Sequence, residues 1–206
     1  VDRSIPRATV ARLPRYLQYL NEFSRPTASS DDIAEGTGLQ AAQVRRDLSY
    51  LGPGGTRGVG YEVARLRALI LRALGLLGPV GVAIIGAGNL GQALAGYGGF
   101  HERGFSITGI YDVDPKKVGS AVHGHRIKPI EDVPADAAEG LFAIAILATP
   151  PEAAAAVTNM LAAAGIRSLL NFAPTVIRAP SGVEVRNVDL STELQILSYY
   201  RVRPKG

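Results

Sequence analysis

Six residues, Gly86-Ala87-Gly88-Asn89-Leu90-Gly91, constrain this chain more than anything else in it. They spell G-x-G-x-x-G directly after the apolar run Val80–Ile85, and they open the helix-favouring segment LGQALAGY. In that context each glycine has a physical task. The first permits a tight turn, the second lets backbone approach a pyrophosphate, and the third lets a helix pack closely on the strand. The helix start then offers N–H groups and partial positive charge to phosphates. A second apolar run, Phe105–Tyr111, ends at Asp112, 21 residues after Gly91. A carboxylate there accepts hydrogen bonds from a ribose 2′-hydroxyl and repels a 2′-phosphate, which favours NAD(H) over NADP(H). Asp114 is the second choice for that role, and Asp112 can alternatively act as a turn former in Asp-Val-Asp-Pro.

Further apolar runs at Leu141–Leu147 and Ser168–Phe172, with the helix-favouring 151–164 between them, continue the strand and helix alternation. That alternation predicts an α/β fold, a Rossmann-type doubly wound parallel sheet. Ligands in such sheets sit outside the carboxyl ends of strands. The loops Ala148-Thr149-Pro150-Pro151 and Asn171-Phe172-Ala173-Pro174 leave such ends. Thr149, Pro150, Asn171 and Ala173 are therefore candidates to line a ribose or nicotinamide, unless the prolines merely end the strands. Ser191–Val202 reads as one more helix, where Thr192 with Gln195 suits a capping box better than Ser191 with Leu194.

The first 79 residues differ from the rest. They hold eleven arginines, no lysine and seven carboxylates, which is the whole net charge of +4; the remainder is neutral. A basic head on a neutral body suggests a polyanion partner. Residues 8–23 carry Leu13, Leu17 and Leu20 at helical spacing, with Pro14 either in the first turn of the main helix or at a kink. Residues 30–36 read as a short helix with Ser30 as N-cap, followed by a turn at Thr37-Gly38 and a helix over 40–51. Ala34, Gly38 and Val44 stand at the spacing of a helix-turn-helix. The second helix carries Gln43, Arg45, Arg46, Ser49 and Tyr50 opposite Val44 and Leu48, as a major-groove recognition helix requires. Residues 52–61 form a tight hairpin or loop, and residues 62–74 a helix. Arg57 and Gly58 at the hairpin tip are placed to enter a narrow minor groove. The competing readings are a solvated helix face in which Asp47 pairs with Arg45 and Arg46, a surface loop arginine, and a protein-interaction module.

Cysteine is absent, which excludes disulfides and thiolate-bound zinc. His101, His123 and His125 are scattered, and the latter two flank a turn at Gly124 as surface polar residues, so no metal is expected. No apolar run reaches the roughly 18 to 20 residues a membrane span needs, and no signal pattern opens the chain. The expectation is a soluble, cytoplasmic protein with domains at 1–79 and 80–190 and a terminal helix and tail at 191–206.

The segments QVRRDLSYLG, GTRGVGY, IIGAGNLGQALAGYGGF, YDVDPKKVG and NFAPT, in that order, resemble the Rex family of redox-sensing transcriptional repressors. The resemblance runs from about residue 5 to about residue 200. It implies an N-terminal winged helix-turn-helix domain on a Rossmann body, working as a homodimer on palindromic operator DNA. NADH releases the protein and NAD+ competes with it. The resemblance also implies that residues 191–202 are a helix exchanged between subunits, and that Tyr97 meets Asp189 across the dimer. Gly98 stands where the family often has Pro, and Leu190 where it often has Phe beside the nicotinamide.

NADH and NAD+ differ only in the nicotinamide, neutral and puckered in one, planar and cationic in the other. A ligand shifts a two-state equilibrium only by its differential affinity, and a tenfold preference needs about 1.4 kcal/mol. A switchable Asp189–Tyr97 contact would supply that. Two rivals stand beside this reading. An NAD-dependent dehydrogenase would need an acid or base beside Thr149 or Asn171, and none is evident. A CoA-binding domain has a similar glycine loop, but Asp112 argues against it.

Overall fold

The computed structural model describes residues 5–52, 55–56 and 58–202, and the chain divides into two compact units between Gly78 and Pro79. Arg57 lies outside the described residues.

The first unit opens with α1 (Arg7–Val10) and α2 (Leu13–Glu22). Pro14 is in the first turn of α2, where its missing N–H would have had no intrahelical partner. Strand β1 (Thr27–Ala28) leads into α3 (Ser30–Thr37). The N-cap of α3 is Ser29, not Ser30: Ser29 Oγ accepts the Asp32 N–H at 3.0 Å while the Asp32 carboxylate accepts the Ser29 N–H at 2.8 Å. That reciprocal pair closes a capping box, and it places the cap one residue upstream of the one expected. Gly38 ends α3 with φ 64°, a left-handed cap, and turns the chain into α4 (Ala41–Ser49). Ala34 and Val44 are both buried, so the small residue and the anchor do what their spacing predicts. Strands β2 (Gly55–Thr56) and β3 (Gly60–Glu62) pair antiparallel, and β1 joins the far side of β3, giving the order β1-β3-β2. Helix α5 (Val63–Ala73) closes the unit over a core that includes Leu13, Tyr16, Leu20, Ile33, Val44, Leu66 and Ile70. Helices α2, α3 and α4 followed by the β2–β3 hairpin make a winged helix-turn-helix.

The second unit begins with β4 (Val80–Ile85), α6 (Asn89–Ala95), α7 (Gly99–Glu102) and β5 (Phe105–Asp112). A hairpin of β6 (Ala121–Val122) and β7 (His125–Pro129) turns at His123 and Gly124, both with positive φ. There follow α8 (Val133–Ala138), β8 (Ile144–Leu147), α9 (Pro151–Ala163), β9 (Ser168–Asn171), β10 (Glu184–Asn187) and α10 (Leu190–Val202). The sheet order is β10-β9-β8-β4-β5-β7-β6, parallel except for the β6 edge. Counting only the parallel strands, that is the order 3-2-1-4-5-6 of a dinucleotide-binding sheet, reversing direction between β4 and β8. Helices α8 and α9 cover one face through Val133, Val157 and Leu161. The other face packs against α6 and α7 through Ala95, Leu94 and Phe100. No described helix stands between β9 and β10, and on that second face Phe105, Ile144 and Leu170 stay partly open to a groove of about 340 Å³. Helix α10 buries none of its residues within its own chain.

Candidate functional site: a glycine-loop cavity and a basic head

The glycine loop lies where the strand order reverses. Gly86 leaves β4 with φ 103°, and a Cβ there would sit 2.5 Å from the Ala148 carbonyl oxygen. At Gly91 a Cβ would sit 1.9 Å from the Gly86 carbonyl oxygen, so only glycine lets α6 lie this close to β4. Gly88 is the opposite case: a Cβ would meet nothing of the chain within 4 Å. Its lack of a side chain leaves space beside the loop rather than satisfying packing, which suits close approach by a phosphate.

A cavity of about 480 Å³ opens there, walled by Gly86, Gly88, Asn89 and Leu90 of the loop, by Asp112 at the end of β5 with Asp114 and Lys117 after it, and by Thr149 and Pro150 after β8. Asp112 is 7% exposed. Its Oδ2 accepts the Ala87 N–H at 2.7 Å and the Lys117 Nζ at 3.1 Å, and its Oδ1 accepts the Asp114 N–H at 2.8 Å. Burial pushes its pKa up, but these donors outweigh burial and hold it below the ordinary carboxylate value. Asp112 is thus a turn former, a clamp on the glycine loop and a wall of the cavity at once. Asp114 uses Oδ1 to accept the Lys116 N–H, a second local turn.

Thr149 Oγ1 is buried without a hydrogen-bond partner, an uncompensated polar atom in the cavity wall. Together with the open side of Gly88 and the acid at Asp112, it makes a donor and acceptor set that fits NAD(H). Pro150 lies at the exposed rim and caps α9. Asn171, expected to line the ligand, is engaged within its own loop. Its amide nitrogen donates to the carbonyls of Ala173 and Thr175 and to Asn187 Oδ1, and its oxygen accepts the Ala173 N–H at 2.9 Å. The side chain holds its own loop, and neither it nor the buried Ala173 borders the cavity. Ala87 is likewise buried and takes part through its N–H, not its side chain.

Tyr97 is 54% exposed and packs edge-on to Phe100 at 5.0 Å. Asp189 precedes α10 and accepts the Ser191 N–H and the hydroxyls of Ser191 and Thr192. It is therefore Asp189 that caps the helix, in place of the Thr192–Gln195 box, because its carboxylate reaches an N–H of the first turn. Within one chain no hydrogen bond joins Tyr97 to Asp189. Gly98 has φ −59°, a value proline also adopts.

In the head, Arg45, Arg46 and Ser49 are exposed along α4, and Gln43 and Tyr50 are half-buried. Arg45 donates to Ser30 Oγ at 2.9 Å. Asp47 pairs with neither neighbouring arginine. It is fully buried, with Arg12 Nε donating to Oδ2 and Arg12 Nη2 to Oδ1, and it also accepts from Thr9, Tyr16 and Gln43. Burial alone would raise its pKa, but these five bonds lower it to about 2. Arg45 and Arg46 are left to face outward. A groove of about 640 Å³ separates Ser29, Ser30 and Arg45 from Gly58 and the hairpin strands. The sequence missed two participants, Asp47 and Lys117. Asp47 reads as one more charge in an Arg-Arg-Asp run, and Lys117 belongs to no phosphate-loop pattern. Among the described residues no acid and histidine cluster could hold a metal, and no helix is long and apolar enough to cross a membrane.

Comparison with known proteins is specific. Residues 79–175 match the family model of a CoA binding domain, and residues 4–49 match that of a "Putative DNA-binding protein N-terminus". The redox-sensing transcriptional repressor Rex of Streptomyces griseus is 49% identical over 100% of this chain and 82% of its own length. The Rex protein of Desulfitobacterium hafniense is 46% identical over 95% of this chain and 94% of its own. Among solved structures, RSP in complex with beta-NAD+ and operator DNA superposes with a TM-score of 0.89 at 36% identity, covering 97% of this chain and 93% of that one. RSP in complex with beta-NADH gives 0.83 at 35% identity, over 97% and 95%.

Proposed function

The chain belongs to the Rex family of redox-sensing transcriptional repressors, and from that premise we propose that it binds palindromic operator DNA through its head and leaves it when NADH occupies its body. It is a regulator and not an enzyme. One observation carries the reading: a single chain joins a winged helix-turn-helix to a glycine-loop cavity at the switch point of a 3-2-1-4-5-6 sheet.

Bound there, the dinucleotide supplies a nicotinamide whose charge and pucker report the redox state. The chain's own residues do the rest. Gly88 and the start of α6 receive the diphosphate, Asp112 receives the adenosine ribose, and Thr149 offers its unpartnered hydroxyl. In the head, Arg45, Arg46 and Ser49 face DNA from α4 and Tyr50 from its C-cap, with Gln43 beside them and Gly58 in the hairpin; Arg57, outside the described residues, keeps its expected minor-groove role. Phosphate contacts set register, and arginine contacts to guanine set sequence.

The functional unit is a homodimer in the cytoplasm. Support comes from two apolar surfaces with no cover in one chain: α10, where Leu194, Leu197 and Tyr200 are all exposed, and the open groove on the sheet. A partner's α10, with Tyr97 meeting Asp189 across the two-fold, would cover them.

The test is a gel shift on a palindromic operator with NADH and NAD+ varied separately. NADH releases the DNA at concentrations where NAD+ does not. Retention that is indifferent to both coenzymes sinks the reading. The CoA-domain match at 79–175 supports CoA as the alternative ligand. A binding titration separates the two: NADH binds and CoA does not.

A further inference from the structure

A carboxylate offers about four sites for accepting hydrogen bonds. At Asp112 this chain's own donors take three: the Ala87 N–H and the Lys117 ammonium on Oδ2, and the Asp114 N–H on Oδ1. A ribose presents two adjacent hydroxyls. To engage the carboxylate through both, it must displace one donor. The two backbone N–H groups cannot leave without undoing the glycine loop or the turn after β5. Lys117 can leave: its side chain is 38% exposed and stands on a flexible stem.

It cannot go far. The Lys117 N–H is held by the Asp114 carbonyl at 2.9 Å, and its side chain borders the same cavity. The ribose edge is thus faced by two opposite charges. A lone Asp112 would repel a 2′-phosphate strongly. An ammonium 3.1 Å from it cancels much of that field.

We propose that Lys117 is a specificity-determining residue of this cavity: by pairing with Asp112 it offsets the repulsion of a phosphate on the coenzyme's ribose, and so sets how sharply NADH is preferred over NADPH. This rests on the dinucleotide reading of the cavity. Asp114 and Lys116 also lie near, but Asp114 faces the Lys116 N–H and both remain in every variant compared.

The chain has no tryptophan, so the coenzymes' own fluorescence reports binding. Dissociation constants are measured for NADH and NADPH with wild type, Lys117→Met and Lys117→Arg. Lys117→Met widens the NADPH-to-NADH ratio by about tenfold, equivalent to about 1.4 kcal/mol, and Lys117→Arg keeps the wild-type ratio. A lysine that merely shaped the turn would weaken both coenzymes alike, so a ratio within about twofold of wild type for Lys117→Met overturns the proposal. Wild-type protein that binds neither coenzyme overturns the dinucleotide reading itself, before any substitution is made.

Discussion

Asp47 in the head and Asp112 in the body are both buried acids held below their ordinary pKa, yet their surroundings differ in kind. Asp47 is enclosed by four side chains: Thr9 of α1, Tyr16 of α2, Arg12 from the link between them and Gln43 of its own helix. All its acceptor capacity is used inside, and nothing from outside can reach it. Asp112 takes two of its three bonds from backbone and the third from a removable lysine, and it borders a cavity. A buried charge whose partners are all fixed is architecture. A buried charge with one movable partner and an open side is a binding site in waiting. Depressed pKa alone does not separate the two cases; the identity of the donors does.

That contrast can be broken most directly at Asp47. Asp47→Asn leaves the Arg12 guanidinium without its counter-charge. Breaking a buried pair costs about 3 to 5 kcal/mol, and because the Arg12 side chain is still 26% exposed the lower end, about 3 kcal/mol, is expected. Denaturation should show the loss in the head, with operator binding weakened and NADH binding retained. Loss of NADH binding in that variant would mean Asp47 is not confined to the head.

Acid tests the same residue more gently. Asp47 lies at about 2 in the folded chain against 3.8 ordinarily. A depressed folded pKa gives stability that is complete above the unfolded value and disappears as pH falls through the folded one. About 2 kcal/mol should therefore be lost between pH ~4 and pH ~2. Stability followed by urea melts across that window should flatten in Asp47→Asn; an unchanged slope would assign the loss to other carboxylates.

The smallest effect sharpens the body's side of the contrast. Gly88→Ala adds a Cβ that meets no atom of the chain. Folding stability should stay within about 1 kcal/mol, the scale of an N-cap change. NADH affinity should fall about tenfold, because the methyl occupies the approach to the loop. A large stability loss with intact affinity would reverse the assignment of that space to a ligand.

Much of the fold could be read from local pattern. Val80–Ile85 matches β4 to the residue, and 151–164 differs from α9 by one position, because short apolar runs and alanine-rich helices declare themselves locally. The tight packing at Gly86 and Gly91 followed from the motif. What could not be read depends on residues distant in sequence. The partners of Asp47 lie up to 38 residues away, and Asp112 reaches back 25 residues to Ala87. Asn171 looked like a ligand contact because it leaves a strand end, but its bond to Asn187 crosses a parallel pair that no local signal announces. At Ser29 and Ser30, two adjacent serines offered equivalent caps, and only the position of Asp32 three residues after Ser29 decides between them.

Helix α10 spans thirteen residues and buries none of them in its own chain. An isolated helix of about that length is marginal in water, so its order must be borrowed from whatever it docks against. If a second copy provides that dock, α10 is the element most sensitive to dilution. It would fray as subunits separate, while the parallel sheet, stabilised within one chain, stays folded.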